Sequence, residues 1–371
     1  MVDLANHAAA AGHEVTVVAG QKVDEALLRN ELSDAVRVDY IVEAGGRGGR
    51  YLAALPWLWR HHRWLARTDI VHCHMTFAAV LGSIIHLAKR RRRRPVVVET
   101  YHAVGMPIPT LLRWLHSRLA TRRDALVLMA EDAFWKRFVG RHREILTATI
   151  PNGVAFTAKR DIPAEERIAY RRKVGIPDGA RLVVGTIGRL EPARQPWLYP
   201  PIFAEIARQL GPDVHFIIGG EGRERARTEA AIAEQGLEGR VHLPGLVRDV
   251  SLAFSAMDLY VTMNVGAVTG VAALEAAAFG LPVLAVQLLD DYQGGDGDWI
   301  WSSRDPGSVS SRAVGLLRDP AARLALVQTQ QAYANTHHSV EGMARAYDSL
   351  YQAALVRTEA GRIPTDPSDT N

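Results

Sequence analysis

Short apolar runs rich in β-branched residues alternate along the chain with stretches of helical periodicity. Several of the runs are apolar at nearly every position, which is typical of strands covered on both faces. Strands separated by helices indicate repeated βαβ units, so the pattern predicts an α/β fold with parallel sheets. The predicted strands are "EVTVVAG", "RVDYIVE", "DIVHCH", "PVVVETYH", "ALVLMA", "LVVGTIG", "DVHFIIGG", "RVHLPG", "DLYVTM" and "PVLAV".

The runs form two series, and the break between them predicts two domains. The first series ends near "TIPNGV", where a Pro-Asn-Gly cluster indicates a turn, and the second opens at "ARLVVGTIG". We predict doubly wound domains over residues 1–153 and 154–338, with a cleft between them. A helix over 339–357 is expected to pack back toward the N-terminal domain, and the polar tail 358–371 is expected to be disordered.

Composition narrows the class of protein. Of 371 residues, 48% are hydrophobic and 23% are charged, which is typical of a soluble globular protein. The single cysteine, Cys73, excludes a disulfide framework and favours a reducing compartment. We find no long uncharged apolar run and no signal peptide, so we expect a cytoplasmic protein, with peripheral contact to the inner face of the membrane as an option.

The net charge of +4 is concentrated in the N-terminal half, in "WLWRHHRWLAR" and "KRRRRRP". One interpretation is a solvated helix end and loop. A second is contact with an anionic membrane surface, because Trp57, Trp59 and Trp64 alternate with the charges. A third, nucleic-acid binding, is not expected because no recognition module can be named.

Ligands in doubly wound sheets bind beyond the carboxyl ends of the strands, so residues just after strands are the candidates for a site. Gly188 follows "LVVGTI" and permits a sharp turn, and Arg189 and Arg194 come next. Two guanidiniums near a helix start suit a diphosphate, although a pair of surface arginines is the plain alternative.

Three further segments follow strands of the second series. Gly220 lies in a glycine-rich turn, which either admits a close ligand backbone or is an ordinary strand-to-helix turn. The apolar segment that contains Val247 can bind a base through its backbone. Glu275, on a helix that begins near Gly270, can accept hydrogen bonds from ribose or be a plain surface glutamate.

Histidines follow two strands of the first series. His72 and His74 lie two apart in "DIVHCH", and His102 ends "VETYH". A structural hydrogen-bonding role is the plain interpretation of each. Metal binding is not expected, because no acidic residue or cysteine completes a ligand set.

Five segments in this order resemble the retaining glycosyltransferases of family 4, which have the GT-B fold of two Rossmann-like domains facing across a cleft. The segments are "IPNGV", "VGTIGRLEPARQP", "FIIGGEGRER", "VHLPGLVRDV" and "ALEAAAFGLPVLA". The resemblance implies transfer of a sugar from a nucleotide-diphosphate (NDP) donor with retention of anomeric configuration. The C-terminal domain is expected to bind the donor and the N-terminal domain the acceptor.

The resemblance implies a role for each candidate residue. His102 is expected to be catalytic, near the donor sugar, and His74 to lie on the acceptor side. Arg189 and Arg194 are expected to bind the diphosphate, and Glu275 the ribose. The remaining expected donor-binding residues are Gly188, Gly220, Glu221, Val247 and Gly270.

The chain departs from the family pattern in four places, one of which is Arg194, where a lysine is expected. Ala267 stands where the first glutamate of the E-x7-E motif is expected, and losing a polar transition-state contact typically costs about 10²–10³ in rate. Gln195 stands where a glycine is expected. Met1 falls inside the expected first helix, so the first strand of the N-terminal domain is expected to be missing.

These observations predict a peripheral glycosyltransferase of cell-envelope polysaccharide biosynthesis that uses a lipid-linked or polysaccharide acceptor. No metal or other cofactor is expected, because the two arginines offset the leaving-group charge. Ala267 and the missing strand favour an alternative, which is a weakly active or inactive nucleotide-sugar-binding protein or partner subunit. A GT-B sugar epimerase is a third option, but the predicted cleft holds few carboxylates.

Overall fold

The computed structural model describes residues 1–22, 31–42, 49–87, 94–102, 110–130, 133–155, 162–264, 270–288 and 299–360. Its strands are β1 (Thr16–Ala19), β2 (Arg37–Tyr40), β3 (Ile70–His74), β4 (Val96–Tyr101), β5 (Ala125–Leu128), β6 (Leu146–Thr149), β7 (Leu182–Ile187), β8 (Val214–Gly219), β9 (Val241–His242), β10 (Leu259–Asn264), β11 (Val283–Gln287) and β12 (Trp301–Ser303). Its helices are α1 (Val2–Ala10), α2 (Gly49–Leu65), α3 (Met75–Leu87), α4 (Thr110–Ala120), α5 (Ala133–Arg141), α6 (Ala164–Lys173), α7 (Tyr199–Leu210), α8 (Arg225–Glu234), α9 (Val250–Ser255), α10 (Val271–Phe279), α11 (Pro306–Arg318), α12 (Pro320–His337) and α13 (Val340–Ala360). Two 3-10 helices, Pro192–Arg194 and Pro196–Leu198, precede α7.

The chain divides into two compact units. The N-terminal unit comprises Met1–Gly153 together with Val340–Asn371, and the C-terminal unit comprises Val154–Ser339. The turn at "PNG" therefore lies at the division. Helix α13 belongs to the N-terminal unit and ends at Ala360, so residues 358–360, which the sequence placed in a disordered tail, are helical.

The N-terminal unit contains two separate parallel sheets within the described residues. One has the order β3-β4-β5-β6 and the other pairs β1 with β2. Strand β4 is buried at all six positions, as its apolar sequence predicts. Among the described residues, β1 and β3 do not pair with each other.

Helices α1 and α13 cover one face of the larger sheet in this unit. Leu4 of α1 and Tyr347 and Ala354 of α13 share a buried cluster with Val96 and Val98 of β4. The apolar residues on one side of each helix are thereby removed from water, which stabilises the unit.

The C-terminal unit is built around one parallel sheet of order β12-β11-β10-β7-β8-β9. The chain starts at β7, proceeds outward through β8 and β9, and then returns to the other side of β7 with β10. The carboxyl ends of β7 and β10 are therefore the topological switch point, where ligands bind in sheets of this kind. Buried apolar clusters cover both faces of the sheet.

The sequence pattern missed two strands, β6 and β12. Both lie at sheet edges, are three or four residues long, and are rich in threonine or serine, so neither has the apolar run of a buried strand.

The basic aromatic segment has less exposed aromatic surface than the sequence predicted. Trp57 is only 6% exposed, and its Nε1 donates to Asp39 Oδ2 at 3.2 Å, whereas Trp59 is 80% exposed. Residues 88–93, which include most of the basic tract, lie outside the described residues, whereas its last arginine, Arg94, donates to both carboxylate oxygens of Asp124. Within the described part of the chain, no helix combines the length and the apolar character needed to cross a bilayer.

Candidate active site

A cavity of about 200 Å³ lies in the C-terminal unit at the switch point. It is lined by the end of β7, the loop that follows, the middle of β10 and the first turn of α10. The lining residues are Thr186, Ile187, Gly188, Arg189, Leu190, Arg194, Pro196, Tyr199, Ile218, Gly219, Tyr260, Thr262, Met263, Gly270, Val271, Ala272 and Ala273. The predicted residues Gly188, Arg189, Arg194 and Gly270 are thus brought together around one cavity.

Both predicted arginines are exposed in the loop after β7. A Cβ atom placed on Gly270 would lie 3.4 Å from Arg194 Nη1, so this guanidinium is close to the start of α10. The nearby Glu191 pairs with Arg223 at 3.1 Å instead. Neither Arg189 nor Arg194 has an acidic partner among the described residues, which leaves two positive charges for a ligand.

The start of α10 adds a second cationic element to the cavity. Gly270 is the N-cap in an extended conformation, and no side chain caps the helix. The first backbone N–H groups of a helix lack intrahelical partners and carry partial positive charge. Because Val271 and Ala272 line the cavity beside Arg194, the site can bind an anion such as a phosphate.

Gln195 shows how the loop keeps its shape without the glycine that the family resemblance expects. Its φ is 45° and its ψ is 53°, in the left-handed region that a glycine adopts readily. The residue separates the two 3-10 helices, and it directly follows Arg194.

Two buried tyrosines, which the sequence analysis missed, form the floor of the cavity. Tyr260 OH donates to the Ile187 carbonyl at 2.8 Å and accepts from the Ile187 amide at 3.1 Å. Tyr199 OH accepts from Thr186 Oγ1 and from the Met263 amide, each at 3.1 Å. The tyrosines therefore fix the last residues of β7, from which the arginine loop starts.

Burial is the main cause of the raised pKa values of both tyrosines, which keep their protons. The only sequence sign of these residues was a tyrosine inside the apolar run "DLYVTM" and another before the proline pair in "YPP".

The glycines after β8 pack against the chain itself. A Cβ on Gly220 would lie 1.9 Å from the Gly188 carbonyl oxygen, and one on Gly222 would lie 2.2 Å from the Leu190 carbonyl oxygen. The Leu190 amide donates to the Glu221 carbonyl at 3.0 Å. The β8 loop thus lies directly against the β7 loop, and its glycines permit that contact.

Glu275 is exposed on α10 and does not line the cavity. It is close enough that its carboxylate adds to the rise in the pKa of Tyr260, which burial and Tyr199 mainly cause. The structure therefore places Glu275 near the cavity floor, while its ribose contact remains a prediction.

Glu221 and Val247 also lie outside the cavity lining. Glu221 Oε1 accepts from Arg225 Nη1 at 2.9 Å, and this carboxylate lies over Gly245. The Val247 side chain packs on Gly219, where an added Cβ would lie 2.7 Å from Val247 Cγ2. Their donor-binding roles remain predictions.

In the N-terminal unit the three predicted histidines form one cluster at the carboxyl ends of β3 and β4. His74 Nδ1 is 3.0 Å from His102 Nε2, and the rings of His72 and His74 are 4.1 Å apart. His72 hydrogen-bonds Tyr351 OH at 2.7 Å and Thr100 Oγ1 at 2.8 Å.

The histidines of this cluster are neutral at physiological pH. Burial lowers the pKa of His72 to about 3, lowers that of His74 well below its ordinary value, and also lowers that of His102. A neutral imidazole has one donor and one acceptor nitrogen, so what a ring offers a ligand depends on its tautomer.

Within the described ranges, no three His, Cys, Asp or Glu side chains are arranged so that they could hold one metal ion. Ala267, the departure from the E-x7-E motif, lies in 265–269, outside the described residues.

The chain is similar to glycosyltransferases in both of its units. Residues 1–158 match the family model described as Glycosyltransferase Family 4, and residues 181–319 match that described as Glycosyl transferases group 1. The Anabaena protein Alr3699/HepE, solved in complex with UDP and glucose, superposes with a TM-score of 0.75 at 18% identity, covering 95% of this chain and 94% of that one.

Two curated relatives are also glycosyltransferases. A 2-deoxystreptamine glucosyltransferase of Streptomyces kanamyceticus is 29% identical over 54% of this chain, and the match spans 51% of that relative's length. A D-inositol 3-phosphate glycosyltransferase of Corynebacterium urealyticum is 24% identical over 84% of this chain and 73% of the relative.

The structural likeness shows a GT-B fold of two Rossmann-like units. The family 4 match falls on the N-terminal unit and the group 1 match on the C-terminal unit, and each spans less than half of the chain.

Proposed function

We propose that the protein transfers a sugar from an NDP-sugar to a hydroxylated acceptor with retention of anomeric configuration. One observation carries the proposal: Arg189, Arg194 and the start of α10 line the same cavity at the switch point of the C-terminal unit. A diphosphate matches this arrangement, because guanidiniums bind phosphate oxygens in a forked manner and helix amides complete the contact. The UDP and glucose of the Anabaena complex support a nucleotide-sugar donor.

In this proposal the two arginines neutralise the leaving diphosphate, so that no divalent metal is required. Hydrogen bonds between charged groups contribute about 1.5–3 kcal/mol each. Glu275 binds the ribose, and the backbone around Val247 binds the base. His102 contacts the transferred sugar, and the reaction proceeds with reduced rate because Ala267 lacks the carboxylate of the family motif.

We further propose a lipid-linked or polysaccharide acceptor in the cell envelope. The acceptors for which the two curated relatives are named favour a second candidate, a polyhydroxylated cyclitol. Both candidates present a ring hydroxyl to the donor, so an acceptor panel that contains inositol phosphate, an aminocyclitol and short glycan lipids separates them.

Helix α2 supports contact with an anionic membrane surface. Leu52, Leu55 and Trp59 are 82%, 62% and 80% exposed, and their spacing places them on one side of the helix. Arg60 and Arg63 are exposed in the following turn. An exposed apolar stripe beside arginines suits the interface of an anionic bilayer, where each basic residue contributes about 1 kcal/mol.

The membrane proposal is tested by cosedimentation with vesicles that contain anionic or only neutral lipids. We expect Trp59→Gln to lower binding to anionic vesicles several-fold. Leu324→Gln, at a residue 59% exposed in the C-terminal unit, serves as the control and leaves binding unchanged. Equal binding of the two variants would exclude α2 as the contact.

The donor is tested first by thermal unfolding with UDP-, GDP-, ADP- and dTDP-sugars. A donor at 100 times its dissociation constant stabilises the protein by about 2.7 kcal/mol. We expect Arg189→Gln and Arg194→Gln to weaken binding about 10- to 150-fold each, from the loss of one charged hydrogen-bonding group. Arg312→Gln removes the same charge at an exposed position of α11 and leaves binding unchanged.

Release of free NDP, with and without acceptor, then separates an enzyme from a binding subunit, and the anomeric configuration of the product tests retention. Donor binding without NDP release under any acceptor would establish the alternative, a nucleotide-sugar-binding protein. Restoring the carboxylate with Ala267→Glu distinguishes the two further, since an otherwise intact site gains about 10²–10³ in rate.

A further inference from the structure

The hydrogen bond between His74 and His102 limits how protons can be placed on both rings. The two rings are neutral, and the bond joins Nδ1 of His74 to Nε2 of His102 at 3.0 Å. One of these nitrogens must carry the proton and the other must accept it. If His102 donates from Nε2, His74 is also protonated at Nε2; if His74 donates from Nδ1, His102 is also protonated at Nδ1.

We propose that His74 is a positioning residue that fixes the orientation and tautomer of His102. In either arrangement the outer nitrogen of His102, Nδ1, is held in one state, either as an acceptor or as a donor toward a ligand. Partners that fix a histidine tautomer determine what the other ring nitrogen can do. This inference rests on the proposed role of His102 toward the transferred sugar.

The local backbone holds His74 in position for this contact. His74 ends β3 opposite Thr100 of β4, two residues before His102. The next residue, Met75, begins α3 with a φ of 72° although it is 67% exposed. A non-glycine residue in this region is uncommon and strained, so the surrounding structure must hold it there. Strand β3 ends at His74 and α3 begins at Met75, with no linker between them. The start of the helix therefore holds the end of the strand, and His74 with it.

Below this pair, a hydrogen-bonded chain fixes the third histidine. Thr100 Oγ1 lies 2.8 Å from Tyr347 OH and 2.8 Å from His72 Nε2, and Tyr351 OH is bonded to the other nitrogen of His72. With both nitrogens of His72 bonded, its ring is a fixed support for His74, which lies against it at a ring separation of 4.1 Å.

The first test reads the tautomers directly in the free protein, by NMR of the full chain labelled with ¹⁵N-histidine. We expect His74 and His102 to have the same tautomer, and we expect His102 to become a mixture of tautomers in His74→Ala. The pair His215 Nδ1 and His242 Nε2, 3.1 Å apart in the other unit, serves as an internal control that the substitution leaves unchanged. Unlike tautomers in the wild-type pair, or an unchanged His102 in the variant, would overturn the proposal.

The second test uses turnover. Loss of the partner that orients a functional histidine lowers activity about 10- to 100-fold in metal sites, and we expect a similar fall in kcat for His74→Ala, with KM for the donor little changed. His74→Asn places an amide near the original Nδ1 and is expected to recover most of kcat. If both variants are folded and the kcat of His74→Asn is no higher than that of His74→Ala, the proposal is contradicted. If neither the wild type nor any variant shows turnover, the proposed function is refuted. The proposal about His74 is then still tested by NMR, which does not depend on activity.

Discussion

Replacing Gly220 by alanine tests whether the glycines after β8 serve the fold or a ligand. Gly220 has a φ of 137°, and an added Cβ would lie 1.9 Å from the carbonyl oxygen of Gly188 and 2.9 Å from its carbonyl carbon. Both atoms belong to backbone, which cannot rotate away as a flexible side chain can. The Gly188 amide is also bonded to the Gly219 carbonyl at 2.9 Å, so the two loops must separate before the methyl group fits.

Two costs add in this variant. An alanine held in a sparsely populated backbone region costs about 1–3 kcal/mol. Overpacking against a fixed neighbour costs about another 1–3 kcal/mol. We therefore expect the free energy of unfolding of the C-terminal unit to fall by about 2–6 kcal/mol. Each kcal/mol corresponds to about 2–4 °C in Tm for a unit of this size.

Thermal and urea unfolding of the full chain measure this loss, and Gly188→Ala is the matched control. A Cβ on Gly188 would meet no atom within 4 Å, and its φ lies outside the left-handed region. This variant is expected to keep wild-type stability. It nevertheless places a methyl group in the cavity wall, so donor binding is expected to weaken. A Gly220→Ala protein as stable as wild type would show that the two loops do not pack as described.

Three further predictions concern stability. Glu99→Gln leaves the buried Arg123 guanidinium, bonded to Glu99 Oε2 at 2.9 Å, without a counter-charge, and urea unfolding should show a loss of about 3–5 kcal/mol. Gln195→Gly relieves a left-handed conformation but adds freedom to the unfolded chain, so Tm should stay level or rise slightly, whereas Gln195→Val should lower it. The folded-state pKa of His72, about 3, lies below its ordinary 6.5, so the unfolded state binds more protons between these values and stability falls on acidification through that window. His72→Asn should reduce that slope by up to about 1.4 kcal/mol per pH unit.

Much of the fold could be predicted because its central strands are buried on both faces. The interior strands β4, β5, β7, β8, β10 and β11 all appear in the sequence as runs that are apolar at most positions. Edge strands have water on one side and pair with one neighbour, so β6 and β12 lack this signal. The sequence could not predict that β1 and β2 form a separate two-stranded sheet. Register and sheet membership depend on contacts between residues that are distant in the chain.

The candidate site was predictable where charge and strand position coincide. Arg189 and Arg194 follow a buried strand, and parallel strands deliver such residues to one edge of the sheet. Tyr199 and Tyr260 were missed because the partners of their hydroxyls are groups that only the folded chain brings near. The sequence around Gly220 shows that a close approach occurs there, and the structure shows that the Gly188 carbonyl oxygen is one of the atoms that approach. A donor contact at Gly220 stays a prediction.

Gln195 shows that a departure from a family motif need not change the backbone it encodes. The resemblance expects glycine here, and the left-handed conformation of Gln195 supplies the reason for that expectation. The turn at Gln195 therefore persists with some backbone strain. It connects the 3-10 helix Pro192–Arg194 to the 3-10 helix Pro196–Leu198, which precedes α7. The strain is confined to Gln195, and Arg194 still lines the cavity. The replacement of the expected glycine by Gln195 is therefore evidence about the stability of the loop. It is not evidence that the anion site is lost, and Gln195→Gly should therefore leave donor affinity unchanged.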